Sequence, residues 1–88
     1  MTINITREKI LHKGFANISD IRKFVPCGYE KAKKIFLEIR SDVENEGKSN
    51  FENSILSVRL LPYIGLTEKK VMQFAKTEKA DLAESTNN

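Results

Sequence analysis

Three lysines fall within four residues, at Lys31, Lys33 and Lys34, straight after the run Val25-Pro26-Cys27-Gly28-Tyr29. Ammonium groups spaced this closely can neutralise phosphates or reach base edges, and the neighbouring Tyr29 can add a contact of its own. Two more residues of the same segment extend the set: Arg40 suits a phosphate, and Leu37 a thymine methyl or a partner protein. A second polar group, Lys48, Ser49, Asn50 and Arg59, could grip a nucleic-acid backbone or minor groove. Covalent chemistry has little to work with. Cys27 is the single cysteine and His12 the single histidine, so there is no cluster at zinc-ligand spacing and no internal disulfide. No spacing suggests a catalytic triad, and there is no glycine-rich phosphate loop. Cys27 reads as a small packed side chain and His12 as a surface residue near a helix end. The expectation is therefore a protein without catalytic residues, metal or cofactor.

The elements that must position these groups can be read from caps and periodicity. Thr6 is a candidate cap for a helix over Arg7 to Lys13, which ends at Gly14. Ser19 is a candidate cap for a second helix, Asp20 to Phe24 or Val25, with Ile21, Phe24 and Val25 on one face; Pro26 stops it, and Gly28 gives the chain freedom to turn. A third and longest helix runs from Tyr29 to Asn45 or Glu46, with Ala32, Ile35, Phe36, Ile39 and Val43 in one apolar stripe. Glu30, Lys33, Lys34, Leu37, Arg40 and Ser41 then face away from the core. Residues Lys48 to Ser57 read as a loop or a short two-stranded wing around the turn residues Asn53-Ser54. Ser57 is a candidate cap for a helical turn through Ile64, and Thr67 for a last helix, Glu68 to Lys76 or Glu78, carrying Val71, Phe74 and Ala75 inward. Beyond Thr77 the large apolar residues give out, which predicts one domain over 1–76 and a disordered acidic and polar tail over 77–88.

Composition narrows the classes further. Eighty-eight residues with 40% hydrophobic content support one core and exclude most self-contained enzymes. The amino terminus lacks a secretory-signal layout and no apolar run is long enough to cross a bilayer, so a cytoplasmic protein is expected. The net charge of +3 is uneven: residues 1–76 carry +5 and residues 77–88 subtract two. A basic body points to an anionic partner, with nucleic acid foremost.

Two short amphipathic helices separated by a tight turn have the layout of a helix-turn-helix, in which the second helix enters the major groove. Glu30 with Lys33 or Lys34, and Lys34 with Glu38, would equally make the solvated face of any surface helix. The charge order argues against that reading, because lysines crowd the helix start and Asp42, Glu44 and Glu46 its end, each opposing the macrodipole.

The run ISDIRKFVPCGYEKAKKIFLEIRSDVENEGK, Ile18 to Lys48, resembles the helix-turn-helix of small excisionase-like and regulatory DNA-binding proteins of phages and integrative elements of Gram-positive bacteria. A capped D-I-x-K helix, a tight turn, a long helix with alanine in its second turn and a G-K wing carry the likeness. SILSVRLLPYIGLTEKKVMQFA, Ser54 to Ala75, follows the pattern loosely. The chain departs from it in Gly28, where related sequences often carry a serine cap, and in its additional terminal helices. The resemblance implies a mainly α, small single domain with a helix-turn-helix, winged or not. It also implies sequence-specific binding of double-stranded DNA, as a transcription regulator or recombination accessory factor that can meet a recombinase, another phage or host protein, or a second copy in a homodimer. Two rival readings remain: a protein-binding module using Leu37 with Leu60, Leu61, Tyr63 and Ile64, and a single-strand binder stacking bases on Tyr29, Phe51 and Tyr63.

Overall fold

The computed structural model describes residues 2–86, with side chains through Ala83. The chain is mainly helical, in the order α1 (Ile3–Lys13), β1 (Phe15–Ala16), α2 (Ile18–Phe24), α3 (Tyr29–Asn45), β2 (Ile55–Leu56), a 3-10 turn (Ser57–Leu60), α4 (Leu61–Ile64) and α5 (Glu68–Thr86). The single core draws on every helix but α4: Ile10 and Leu11 from α1, Ile21 and Phe24 from α2, Ala32, Ile35 and Ile39 from α3, Val71 and Ala75 from α5. Ile55 and Leu60 close it from the segment after α3. The expected stripe on α3 holds, with Phe36 and Val43 half-buried at its edge.

Local chemistry explains the boundaries, and several differ from the sequence expectation. Gly14, at φ 89°, ends α1 by donating its N–H to the carbonyls of Ile10 and Leu11; a side chain there would be strained. The reversal leads into β1, which pairs antiparallel with β2 in the register Phe15 with Leu56 and Ala16 with Ile55. The expected wing is thus different in kind. Within residues 48–57 the two sides of the turn meet only in an isolated bridge, Phe51 to Ser54, around Asn53 at φ 56°, while Ile55 and Leu56 form β2, whose strand partner lies before α2. Ser57 caps nothing: its side chain is buried and its hydroxyl donates to the Ile10 carbonyl at 2.9 Å, while its N–H donates to the Gly14 carbonyl at 3.0 Å. It thereby pairs the Gly14 carbonyl beyond the helix end and adds a second donor to the Ile10 carbonyl, which also accepts from Gly14.

The cap of α2 is Asn17, two residues before the expected Ser19. Its Oδ1 accepts from the Asp20 N–H at 2.9 Å and the Asp20 carboxylate accepts from the Asn17 N–H at 3.1 Å, a reciprocal capping box. Pro26 stops α2 as expected, with Val25 extended at φ −110°. Gly28 is also extended, φ −80° and ψ 175°, so its special freedom is not used. Thr67 caps α5 as expected, its Oγ1 accepting from the Lys70 N–H at 3.1 Å.

The largest correction concerns the two ends of the chain. The segment expected as a disordered tail continues α5 through Thr86; Asn87 and Asn88 lie outside the described residues. Likewise α1 begins at Ile3 rather than Arg7, with no side-chain cap from Thr2. The two findings have one cause. The Glu78 carboxylate reaches the start of α1 and accepts from the Asn4 N–H (2.8 Å), the Ile5 N–H (3.0 Å) and the Asn4 Nδ2 (2.8 Å). An anion is favourable at a helix N-terminus, where N–H groups are unpaired. Lys79 adds an ion pair with Glu8. Polar contacts, invisible to an apolar pattern, hold the last helix against the first. Among the described residues no helix is long and apolar enough to cross a membrane.

Candidate nucleic-acid interface

The α3 helix is held from three sides, and the holding decides which of its charges are available. At its start, the preceding α2 is fixed by a buried Arg7, whose Nε donates to the Phe24 carbonyl at 2.8 Å and whose Nη1 donates to Asn4 Oδ1 at 3.0 Å. Burial lowers the Arg7 pKa from its ordinary value, with the Glu78 charge opposing that shift. The Arg7 guanidinium also stands 5.8 Å from the centre of the Phe24 ring. It therefore supplies a cation and a donor where α2 ends in unpaired carbonyls.

At the other end of α3 the charges are consumed inside the protein. Arg40, expected to meet a phosphate, donates through Nη1 to the carbonyls of Phe51 (2.6 Å) and Ser54 (3.3 Å) and lies 5.2 Å from the Phe36 ring centre. It pins the 51–54 turn to α3. Asn50 is likewise committed, its Nδ2 donating to the Arg40 carbonyl at 3.0 Å and to Glu44 at 3.2 Å. Arg59 forms a two-pronged pair with Glu46, both contacts at 2.8 Å, and Lys48 joins the same carboxylate at 3.1 Å. These hydrogen bonds, Arg59 before Lys48, hold the Glu46 carboxyl down to about 2, and Glu46 raises the Arg59 pKa in return. Of the second polar group only Ser49 is exposed and without a hydrogen-bond partner among the described residues. Arg40, Lys48, Asn50 and Arg59 thus each have a partner within the protein, a carboxylate or a carbonyl within hydrogen-bond range.

The first half of α3 is different. Tyr29, Lys31, Lys33, Lys34 and Leu37 are all exposed, Leu37 by 54%, and none of the three lysines has an ion-pair partner among the described residues. Lys33, Lys34 and Leu37 share one shallow surface with Glu30, Glu38 and Ser41. Lys31 lies on the adjoining flank, facing a depression shared with Lys34, Glu38 and Tyr63. There the Glu38 carboxylate accepts from the Tyr63 hydroxyl at 3.0 Å. Burial raises the tyrosine pKa first, and the bond to Glu38 adds to it. Tyr63 thereby draws the one mid-helix carboxylate toward α4. Two cations that the sequence reading passed over, Arg22 and Lys23, are exposed on the last turn of α2 and line a shallow cleft with Ser19 and Cys27. Their place in the last turn of the helix before Pro26 was the available signal.

The surface expected for a protein partner does not form as drawn. Leu60 is fully buried, and Leu61 and Ile64 pack against the core, since the turn after β2 must cover α1 and α3. The proposed stacking platform is also divided. Phe51 is met edge-on by Phe15 at 4.9 Å and Tyr63 is tied to Glu38, which leaves only the Tyr29 ring without such a contact among the described residues. Phe15, Phe51 and Leu56 instead make a small exposed apolar face on the outer side of the β1–β2 ribbon. Among the described residues no three His, Cys, Asp or Glu side chains could jointly hold a metal ion. Compared with known proteins, the chain matches no family model, no curated protein and no solved structure.

Proposed function

We propose that the protein is a non-enzymatic, sequence-specific binder of duplex DNA, in which the first half of α3 enters the major groove and α2 braces it. The observation that carries the reading is the division of charge along α3. Toward its carboxyl end Glu46 is ion-paired with Arg59 and Lys48, and Glu44 accepts a hydrogen bond from the Asn50 amide, whereas Lys31, Lys33 and Lys34 have no ion-pair partner among the described residues and stand at a helix start that disfavours them. Phosphates would supply the missing counter-charge, and Arg22 and Lys23 on α2 would extend the same cationic surface. In this reading Leu37 and Tyr29 contact bases, and the protein acts as a regulator or recombination accessory factor of a phage or mobile element.

The test is a mobility-shift titration of native protein and of Lys33→Ala/Lys34→Ala against DNA flanking its own gene, at two salt concentrations. The double variant is expected to bind more weakly, with the salt slope reduced by about one unit per lost phosphate contact. Equal binding by both proteins, or no binding at low salt, would defeat the proposal. One observation favours a second reading, in which the partner is a protein: the apolar Phe15, Phe51 and Leu56 face is exposed beside the polar 48–50 segment. A stoichiometric partner lost on Phe15→Ser or Leu37→Ala, with no DNA recovered, would favour it.

A further inference from the structure

Along α5 the residues Lys70, Phe74, Thr77 and Asp81 follow the spacing 4, 3, 4, which at about 100° per residue lays them in a single stripe. The stripe is separate from the docked side. Val71, Ala75 and Glu78 face the body about a quarter turn away, while Lys70, Thr77 and Asp81 are exposed and Phe74 is 41% exposed. Neither Lys70 nor Asp81 has an ion-pair partner among the described residues. The Thr77 hydroxyl donates back to the Gln73 carbonyl at 3.3 Å, so its polar group is used within the helix and its methyl is left to pack.

We propose that this stripe is the contact surface for a second copy of the chain, with the two α5 helices crossing antiparallel about a two-fold axis between Phe74 and Thr77. The order of residues is self-complementary. Turned end over end, the stripe sets Lys70 against the second copy's Asp81, and Phe74 against the second copy's Thr77, each contact occurring twice by symmetry. The same arrangement gives a partner to two charges that the macrodipole disfavours: Lys70 stands in the first turn of α5, beside Glu68 and Lys69, and Asp81 in its last half, after Lys79. In an antiparallel pair each end meets the opposite end of its neighbour, and both charges are matched. Four side chains per copy cover less than a standard interface. The dimer is therefore weak in free solution, and its specificity rests on charge order.

Sedimentation equilibrium of the full chain over a concentration series tests this without reference to DNA, so its outcome is separable from the DNA reading. The native chain is expected to show a reversible monomer–dimer equilibrium. Lys70→Glu and Asp81→Lys should each weaken it about tenfold, since each replaces two symmetric attractions by two repulsions. The double swap Lys70→Glu/Asp81→Lys should restore the native constant. Thermal melts of the three variants establish that each remains folded. A native chain that stays monomeric throughout overturns the proposal. So does a dimer indifferent to both single swaps, which would place the contact on another face such as Phe15, Phe51 and Leu56, or a double swap that fails to restore association.

Discussion

Replacing Glu78 by alanine removes one side chain that joins two helices 74 residues apart in sequence. Its carboxylate accepts three N–H bonds at 2.8–3.0 Å from the first turn of α1, two of them from backbone amides, and that turn has no side-chain cap from Thr2. A hydrogen bond to a charged group is worth about 1.5–3 kcal/mol, and loss of a helix cap typically costs about 1 kcal/mol. These overlap, because the same bonds supply both. The site is half-buried, so the orphaned N–H groups regain some water, and the expected loss is about 2 kcal/mol. For a domain of this size that corresponds to a fall in Tm of roughly 8–16 °C. Glu78→Gln should fall between native and alanine, since its amide oxygen can still accept from the backbone while its charge is gone. Deleting residues 77–88 should cost at least as much as Glu78→Ala, roughly 8 °C or more. Chemical denaturation with far-UV circular dichroism gives the free energies, and hydrogen exchange at Asn4 and Ile5 reports the site directly. If Glu78→Ala lies within about 0.5 kcal/mol of native and those amides keep their protection, the carboxylate does not cap α1.

Three further outcomes are expected. Gly28→Ser should stabilise by about 0.5 kcal/mol, because the native backbone is extended, no atom lies within 4 Å of the added Cβ, and serine restricts the unfolded chain while offering α3 a cap; a loss of stability would contradict this. Ser57→Ala should cost about 1 kcal/mol in denaturant titration by removing the shorter of the two hydrogen bonds to the Ile10 carbonyl, which keeps only the Gly14 N–H. The Glu46 carboxyl should titrate by NMR near about 2 and return toward the ordinary carboxylate range in Arg59→Gln; as its folded pKa is depressed, whatever stability the pair contributes is present above the unfolded carboxylate pKa and is lost as pH falls through the range down to about 2.

The helices with apolar periodicity were legible in the sequence, and the polar joints were not. Ala32, Ile35 and Ile39 announce the buried side of α3 because burial selects residue type at fixed spacing, and the same rule exposes Leu37 as lying off that stripe. Glu78 carries no such mark. A glutamate on a polar helix reads the same whether it faces water or the start of another helix, and the residues around it, Lys76, Thr77 and Lys79, offer no apolar anchor. The candidate site divides in the same way. Lys31, Lys33 and Lys34 are exposed as their spacing requires, but whether a basic residue beyond the helix is available depends on which carboxylate or carbonyl the fold brings to it. Glu46 precedes Arg59 by 13 residues, and only the return of the chain through β2 brings them together.

The polar joints also connect the ends of the molecule to the helix proposed to read DNA. Glu78 on α5 holds Asn4, Asn4 Oδ1 accepts from Arg7, and Arg7 donates to the Phe24 carbonyl where α2 stops before the turn into α3. Arg7 is buried, and a buried guanidinium is tolerable only with its donors matched. Loosening α5 therefore removes both a nearby negative charge from Arg7 and the side chain that orders Asn4, leaving the link from α1 to the end of α2 less constrained. A contact made far out on α5, by a second copy or any other partner, acts on the same chain of side chains that fixes where α3 begins. That gives the last helix a structural reason to be retained beyond the hydrophobic body of the domain, and it explains why residues 77–86 remain helical without a large apolar residue packed in the core.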